Sequence, residues 1–177
     1  MAKSAPNPVP IVKSVLIDTG FLITVFDDQR PNHLTALSMY QFFIEHAFTM
    51  YLSSIVVSEF CVRGDIQQLP LSNFLPLTFD FYDGTLTGKI NFTNFLAQGD
   101  DRTSVKDDIK LVAQMVKNGI SYFATEDGPL VRKLATHFPD IIPILATESV
   151  TQHFSVHRIN GNVVVSRGVP VGQTVLF

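Results

Sequence analysis

Residues Val15 to Phe26, VLIDTGFLITVF, form an apolar run interrupted by a single carboxylate, Asp18. The chain has to bury such a run, and an ionised carboxylate buried alone costs several kcal/mol or more. Asp18 therefore lies where the run changes structure, with a hydrogen-bond donor, a counter-charge or a cation beside it. Val15 to Ile17 is short, apolar and β-branched at both ends, which predicts a buried strand, with Thr19-Gly20 as the turn after it. Asp18 stands at the strand's end, either as the cap of the next helix or as part of a site.

The same grammar repeats along the chain. Asn32 is a candidate N-cap for a helix from His33 to Glu45, whose spacing puts Leu34, Leu37, Tyr40 and Ile44 on an apolar face. Phe48 to Ser53 predicts a second buried strand, and Ser53-Ser54 caps a helix over Ile55 to Val62. At ~100° per residue Glu59 falls beside Ile55 and Val62, on an apolar face unless it pairs with Arg63 at the helix edge.

Ser104 to Asn118 is the clearest helix, stopped at Asn118-Gly119. Its apolar face is centred on Val105, Ile109, Val112, Ala113 and Val116 and widened by Leu111 and Met115, while Lys106, Lys110, Gln114 and Lys117 hold the polar side. Asp107 falls among the polar residues and Asp108 within the widened apolar face, which makes Asp108 the site candidate of the pair. Ile120 to Ala124 predicts a third strand, followed by Thr125-Glu126-Asp127-Gly128-Pro129 and a helix from Pro129 to Phe138 that Asp127 is placed to cap. Ile141 to Leu145 predicts a fourth strand. Strands alternating with helices imply an α/β domain with a parallel sheet and right-handed crossovers.

Two stretches read differently. Gly64 to Thr103, with Pro70, Pro76 and a Phe-rich run through Phe74, Phe79 and Phe81, predicts one short helix and a longer one from Gly84 to Gln98. Asp80, Asp83, Asp100 and Asp101 fall in apparent loops, where solvation accounts for them. After Val150, alternating residues around Asn160-Gly161 predict an antiparallel hairpin from Phe154 to Ser166, on the edge of the main sheet or against a partner chain. His153 and His157 lack further ligands nearby in sequence and read as surface residues.

Composition bounds the class. A chain of 177 residues, 46% hydrophobic and 16% charged, is one packed domain and not a disordered segment. The expected division is a flexible segment over 1–13, a main domain over 14–150 and a hairpin extension over 151–177. A net charge of −3 excludes a global electrostatic footprint for nucleic acid, so such binding requires a local patch; Lys13, Lys106, Arg132 and Lys133 are the candidates. Cys61 is the only cysteine, which rules out an internal disulfide and favours a cytoplasmic setting. No apolar run has the ~18 residues of a membrane span.

In a parallel sheet the strand ends share one edge, where ligands bind. Asp18 and Asp127 each follow a predicted strand, and Glu59 and Asp108 sit in first turns of helices that begin near that edge. Four like charges there repel unless a divalent cation lies among them, and hard oxygen donors favour Mg²⁺ or Mn²⁺ over zinc.

The ordered set LIDTGFL, SSIVVSEF, KDDIKLVAQ and YFATED resembles the PIN domain family of metal-dependent nucleases, which includes toxin ribonucleases of the VapC type. The resemblance covers Val15 to Val150; the long Gly64–Thr103 stretch and the hairpin depart from it. It implies a three-layer sandwich, a central parallel sheet flanked by helices. It also implies hydrolysis of RNA phosphodiester bonds at Mg²⁺ or Mn²⁺ held by Asp18, Glu59, Asp108 and Asp127, all four being catalytic. Asp107 replaces Asp108 if the helix starts in another register, and Thr19 and Thr125 would orient carboxylates or phosphate oxygens. An antitoxin partner and a homodimer follow from the same resemblance. The competing expectation is an inactive PIN-like module that binds RNA or a protein through the hairpin. A phosphotransfer domain of the haloacid-dehalogenase type would want a second Asp where Gly20 stands.

Overall fold

The structure is a computed structural model, described for residues 11–90, 96 and 102–168. Its centre is β1 (Ser14–Ile17), every residue of which is buried. The chain runs on through α1 (Thr19–Phe26), α2 (His33–Glu45), β2 (Thr49–Ser53), α3 (Ser54–Phe60), two short 3-10 turns, β3 (Phe74–Leu77) and α4 (Phe81–Lys89). It continues through α5 (Arg102–Asn118), β4 (Tyr122–Thr125), α6 (Gly128–His137), β5 (Ile142–Leu145), α7 (Val150–His153), β6 (Phe154–Ile159) and β7 (Asn162–Arg167). The five central strands are all parallel, in the order β3-β2-β1-β4-β5. β4, like β1, is buried throughout, so helices cover the middle of the sheet on both faces. This is the α/β sandwich with a C-terminal hairpin that the sequence pattern implies.

The strand order carries a functional consequence. From β1 the chain moves outward through β2 to β3, then returns to lay β4 and β5 on the other side of β1. The direction of winding reverses between β1 and β4, where a crevice opens at the carboxyl edge. Asp18 sits there, its backbone N–H donating to the Ala124 carbonyl at 2.9 Å.

Several local expectations are corrected. Asn32 takes the N-cap position of α2 in a left-handed conformation (φ 69°) and makes no side-chain cap bond. The buried face of α2 is Ala36, Met39, Tyr40, Phe42 and Phe43, while Leu34 and Ile44 are exposed. On α5 the buried stripe includes Gln114 and excludes Val116, because Gln114 finds a partner on β2 that no helical wheel can show. α5 also begins at Arg102, so Asp108 lies in its second turn, and Glu59 lies near the end of α3 rather than in its first turn.

Within 64–103 the sequence pattern misses a strand. β3 contains Pro76, which is tolerated because β3 is an edge strand whose ladder runs to β2 alone. α4 ends at Lys89, and the remainder of the longer helix expected to Gln98 lies almost entirely outside the described residues. Asp80 and Asp83 are not solvated loop residues: they form a capping box at the start of α4. Asp83 is 1% exposed and pairs with Lys117 of α5 at 3.2 Å, as Asp80 does at 2.7 Å. Asp100 and Asp101, and residues 1–10 of the flexible segment expected over 1–13, lie outside the described residues.

The hairpin forms its own two-stranded sheet and does not extend the main one. Asn160 and Gly161 both have positive φ, 51° and 81°, the conformation a tight type I′ turn demands. At its base Phe154 turns inward, 3% exposed, and stacks on Phe42 at 4.9 Å with Tyr122 and Phe48 at 5.1 and 5.3 Å. The hairpin is anchored by that ring rather than by ladder hydrogen bonds to the main sheet. His153 bonds to Glu148 and His157 to the Ser166 hydroxyl. Among the described residues no helix is long and apolar enough to cross a membrane.

Candidate functional site

Four elements deliver carboxylates to the crevice between β1 and β4. Asp18 follows β1 and caps α1, its Oδ1 accepting from the Thr19 N–H at 2.8 Å. Its Oδ2 accepts from the Thr125 hydroxyl at 2.7 Å. Capping and site membership are therefore not alternatives for Asp18; one oxygen serves the helix and the other faces β4. Asp127, after β4, caps α6 by accepting from the Leu130 N–H at 2.9 Å, and its own N–H donates to the Thr125 hydroxyl at 3.0 Å. Thr125, fully buried, thus ties the two Asp residues together.

Glu59 arrives from α3, where Ser53 caps the helix by accepting from the Ile55 N–H at 3.1 Å. The Thr19 hydroxyl donates to Glu59 Oε2, so Glu59 is held by α1 and not by Arg63. Val62, expected beside it, is past the end of α3 and exposed. Asp108 comes from α5. Its neighbour Asp107 turns away and pairs with Lys110 at 2.6 Å, as an ordinary helix-surface ion pair.

The electrostatics show that the four share one environment. Enclosure by protein is the main cause that lifts Asp18 to about 6; Thr125 and the Thr19 N–H oppose it, and Glu59 and Asp127 add to it. Enclosure again comes first for Asp108, raised to about 7, with further push from Asp18, Asp127 and Glu59 and a pull downward from Lys133. Lys133, on α6, therefore faces the acidic crevice. Lys13, at the opposite edge where β1 begins, does not.

The donor set can be tested against a divalent ion. Among the described residues no three acidic, His or Cys side chains are closed around one point fit for a metal. What fits is charge and donor type: carboxylate oxygens from Asp18, Glu59, Asp108 and Asp127, mutually repelling, two of them held well above their ordinary range. Hard oxygen donors with excess negative charge suit Mg²⁺ or Mn²⁺.

Two contributors escaped the sequence reading. Glu126 accepts from the buried Thr24 hydroxyl and from Arg30 at 3.4 Å, joining α1 to the loop that carries Asp127. A Cβ on Gly20 would stand 3.2 Å from Glu126 Oε2, so the bare backbone at residue 20 lets Glu126 close in. Gln114 Oε1 accepts from the Ser53 hydroxyl at 2.6 Å, which links the helix of Asp108 to the cap of the helix of Glu59. The signal for Glu126 is its place in the Thr-Glu-Asp step; Gln114 gave none.

No family model matches the chain, and no curated protein matches it in sequence. Similar folds occur among solved structures. One is a chain of the VapBC2 complex of Rickettsia felis bound to a promoter DNA fragment, with 14% identity, a TM-score of 0.48 and coverage of 75% of this chain and 98% of that one. The chain is similar to VapBC proteins. A second is DNA-bound VapBC of Salmonella typhimurium (16% identity, TM-score 0.49, 75% and 98% covered). A third is VapC20 of Mycobacterium tuberculosis, described as a sarcin-ricin loop cleaving toxin (16% identity, TM-score 0.46, 73% and 99% covered).

Proposed function

We propose that the chain is a PIN-like, metal-dependent endoribonuclease that hydrolyses RNA phosphodiester bonds. One observation carries this reading: carboxylates from four different elements repel one another in the crevice where the sheet reverses its winding. Helix capping accounts for Asp18 and Asp127 but for neither Glu59 nor Asp108, and a bound cation removes the repulsion among the four. Asp18, Glu59, Asp108 and Asp127 would hold Mg²⁺ or Mn²⁺. The ion supplies activation of a water and stabilisation of charge on the phosphate. The chain's own residues orient the donors: Thr125 fixes Asp18 and the backbone of Asp127, and Thr19 fixes Glu59. Asp127 is the exposed member of the set and marks the open side of the crevice.

The motif resemblance extends the proposal to a cytoplasmic toxin restrained by an antitoxin, acting as a homodimer. Cleavage of single-stranded RNA with Mg²⁺ or Mn²⁺ is the direct test. The native chain is expected to cleave, Asp18→Asn and Asp108→Asn to lose activity by at least a hundredfold, and Asp107→Asn to keep most of it. Equal cleavage by native and Asp18→Asn protein overturns the reading. A native chain inert on varied RNAs points instead to a binding module without activity.

A further inference from the structure

One helical turn along α1 from Thr19, a rise of ~5.4 Å, stands Ile23. It lines a cleft of about 480 Å³ together with Phe26, Arg30, Phe60, Arg63 and Gln68. The cleft adjoins the acidic crevice on two sides. Phe60 directly follows Glu59, and Arg30 reaches Glu126, the neighbour of Asp127.

Its lining is unusual for a surface of this chain. Two guanidinium groups border it against one carboxylate, Asp27, which accepts from the Gln29 N–H at 3.0 Å, although the net charge of the chain is −3. Arg63 is exposed and makes no ion pair among the described residues. Glu126 holds Arg30 by one amine, which leaves further donors to face the cleft. Both aromatic rings are fixed in place. Phe26 is 40% exposed and braced edge-on by Tyr40 at 5.4 Å. Phe60 lies so close on Gly64 that a Cβ there would stand 2.8 Å from the ring. Preset aromatic faces beside one arginine without an ion pair among the described residues, Arg63, and a second held on one side only, Arg30, are what unstacked bases and their phosphates bind. An apolar protein segment would cover the Arg63 guanidinium without giving it a partner.

We propose that this cleft binds the single-stranded RNA segment flanking the scissile phosphate, with Phe26 and Phe60 stacking a base and Arg30 and Arg63 taking phosphate oxygens. The assignment rests on the nuclease reading, which places the scissile phosphate at the acidic crevice. It names the neighbouring subsite, and it makes the enzyme selective for RNA whose bases are not paired.

The test is fluorescence anisotropy with labelled eight-nucleotide oligouridine and oligoadenine in EDTA, where no metal chemistry occurs. Native protein is expected to bind, with affinity falling as salt rises. Arg63→Gln is expected to lose about five- to tenfold and to flatten the log–log salt slope by ~0.7, the share of one phosphate on a single strand. Phe60→Leu is expected to lose about tenfold with the slope unchanged, and Phe60→Tyr, which keeps the ring, to bind as the native chain does. Lys89→Gln, at the end of α4 and outside the cleft, should change affinity less than twofold. The inference is overturned if native protein binds neither oligonucleotide at 100 µM, or if Arg63→Gln and Phe60→Leu lose no more than Lys89→Gln. Cleft-dependent binding without cleavage in Mg²⁺ or Mn²⁺ would sink the nuclease reading alone; cleavage with cleft variants unaffected would sink the cleft alone.

Discussion

Replacing Asp108 by Asn should stabilise the metal-free protein, and only at high pH. In the folded chain the Asp108 carboxyl titrates at about 7, against an ordinary value of 3.8. Between those values the native state binds more protons than the unfolded state, so stability falls as pH rises through the window. At ~1.4 kcal/mol per unit of pKa, the full penalty above pH 7 is at most on the order of 4 kcal/mol, and relaxation around the carboxylate reduces it to about 2–4 kcal/mol. Asparagine keeps the shape and carries no charge. Urea unfolding in EDTA should therefore show Asp108→Asn gaining about 2–4 kcal/mol over the native chain at pH 8.5 and about 1 kcal/mol or less at pH 4.5. The window stays above the range where Asp80, held low chiefly by its hydrogen bond from Lys117, begins to take up protons. The native chain and the variant both carry a smaller fall of the same sign from Asp18, which is raised to about 6. A gain that is equal at both pH values, or a native chain more stable at pH 8.5 than at 4.5, would refute the claim that crowded carboxylates strain the fold. Adding Mn²⁺ should restore the native chain at pH 8.5 far more than the variant, because a ligand stabilises the state that binds it.

Other perturbations probe the supports of the site. Phe154→Ala removes a buried ring that touches Phe42, Phe48 and Tyr122, and should cost about 3–5 kcal/mol in urea unfolding. Gln114→Leu breaks the bond to Ser53 but also removes a buried Nε2 that has no partner, so its net cost should stay within about 1 kcal/mol. Any effect it has on Mn²⁺ affinity then reports on the alignment of α3 with α5 rather than on stability.

The sheet was legible because its central strands are short apolar runs, each followed by a turn and a helix with its own cap. Asp18, Ser53 and Asp127 mark three strand ends, and the cap bond that each was placed to make is present. β3 was not legible, since Pro76 argues against a strand unless its edge position is known. The faces of α2 and α5 were only half legible. A helical wheel assumes one neighbour on one side, whereas Gln114 is drawn inward by a hydroxyl 61 residues away in sequence and Asp83 by Lys117. The crevice itself was inferred from order along the chain. What order cannot supply is the hydroxyl of Thr125 joining Asp18 to the backbone of Asp127, or Arg30 meeting Glu126 across 96 positions.

The inward turn of Phe154 also sets a clock on synthesis. Tyr122, Phe48 and Phe42 emerge from the ribosome before the ring that covers them, so the aromatic cluster stays open until residue 154 is out. By then every carboxylate of the crevice has already been made. A nascent chain thus carries all of its acidic side chains before it has the ring that fills this aromatic cluster.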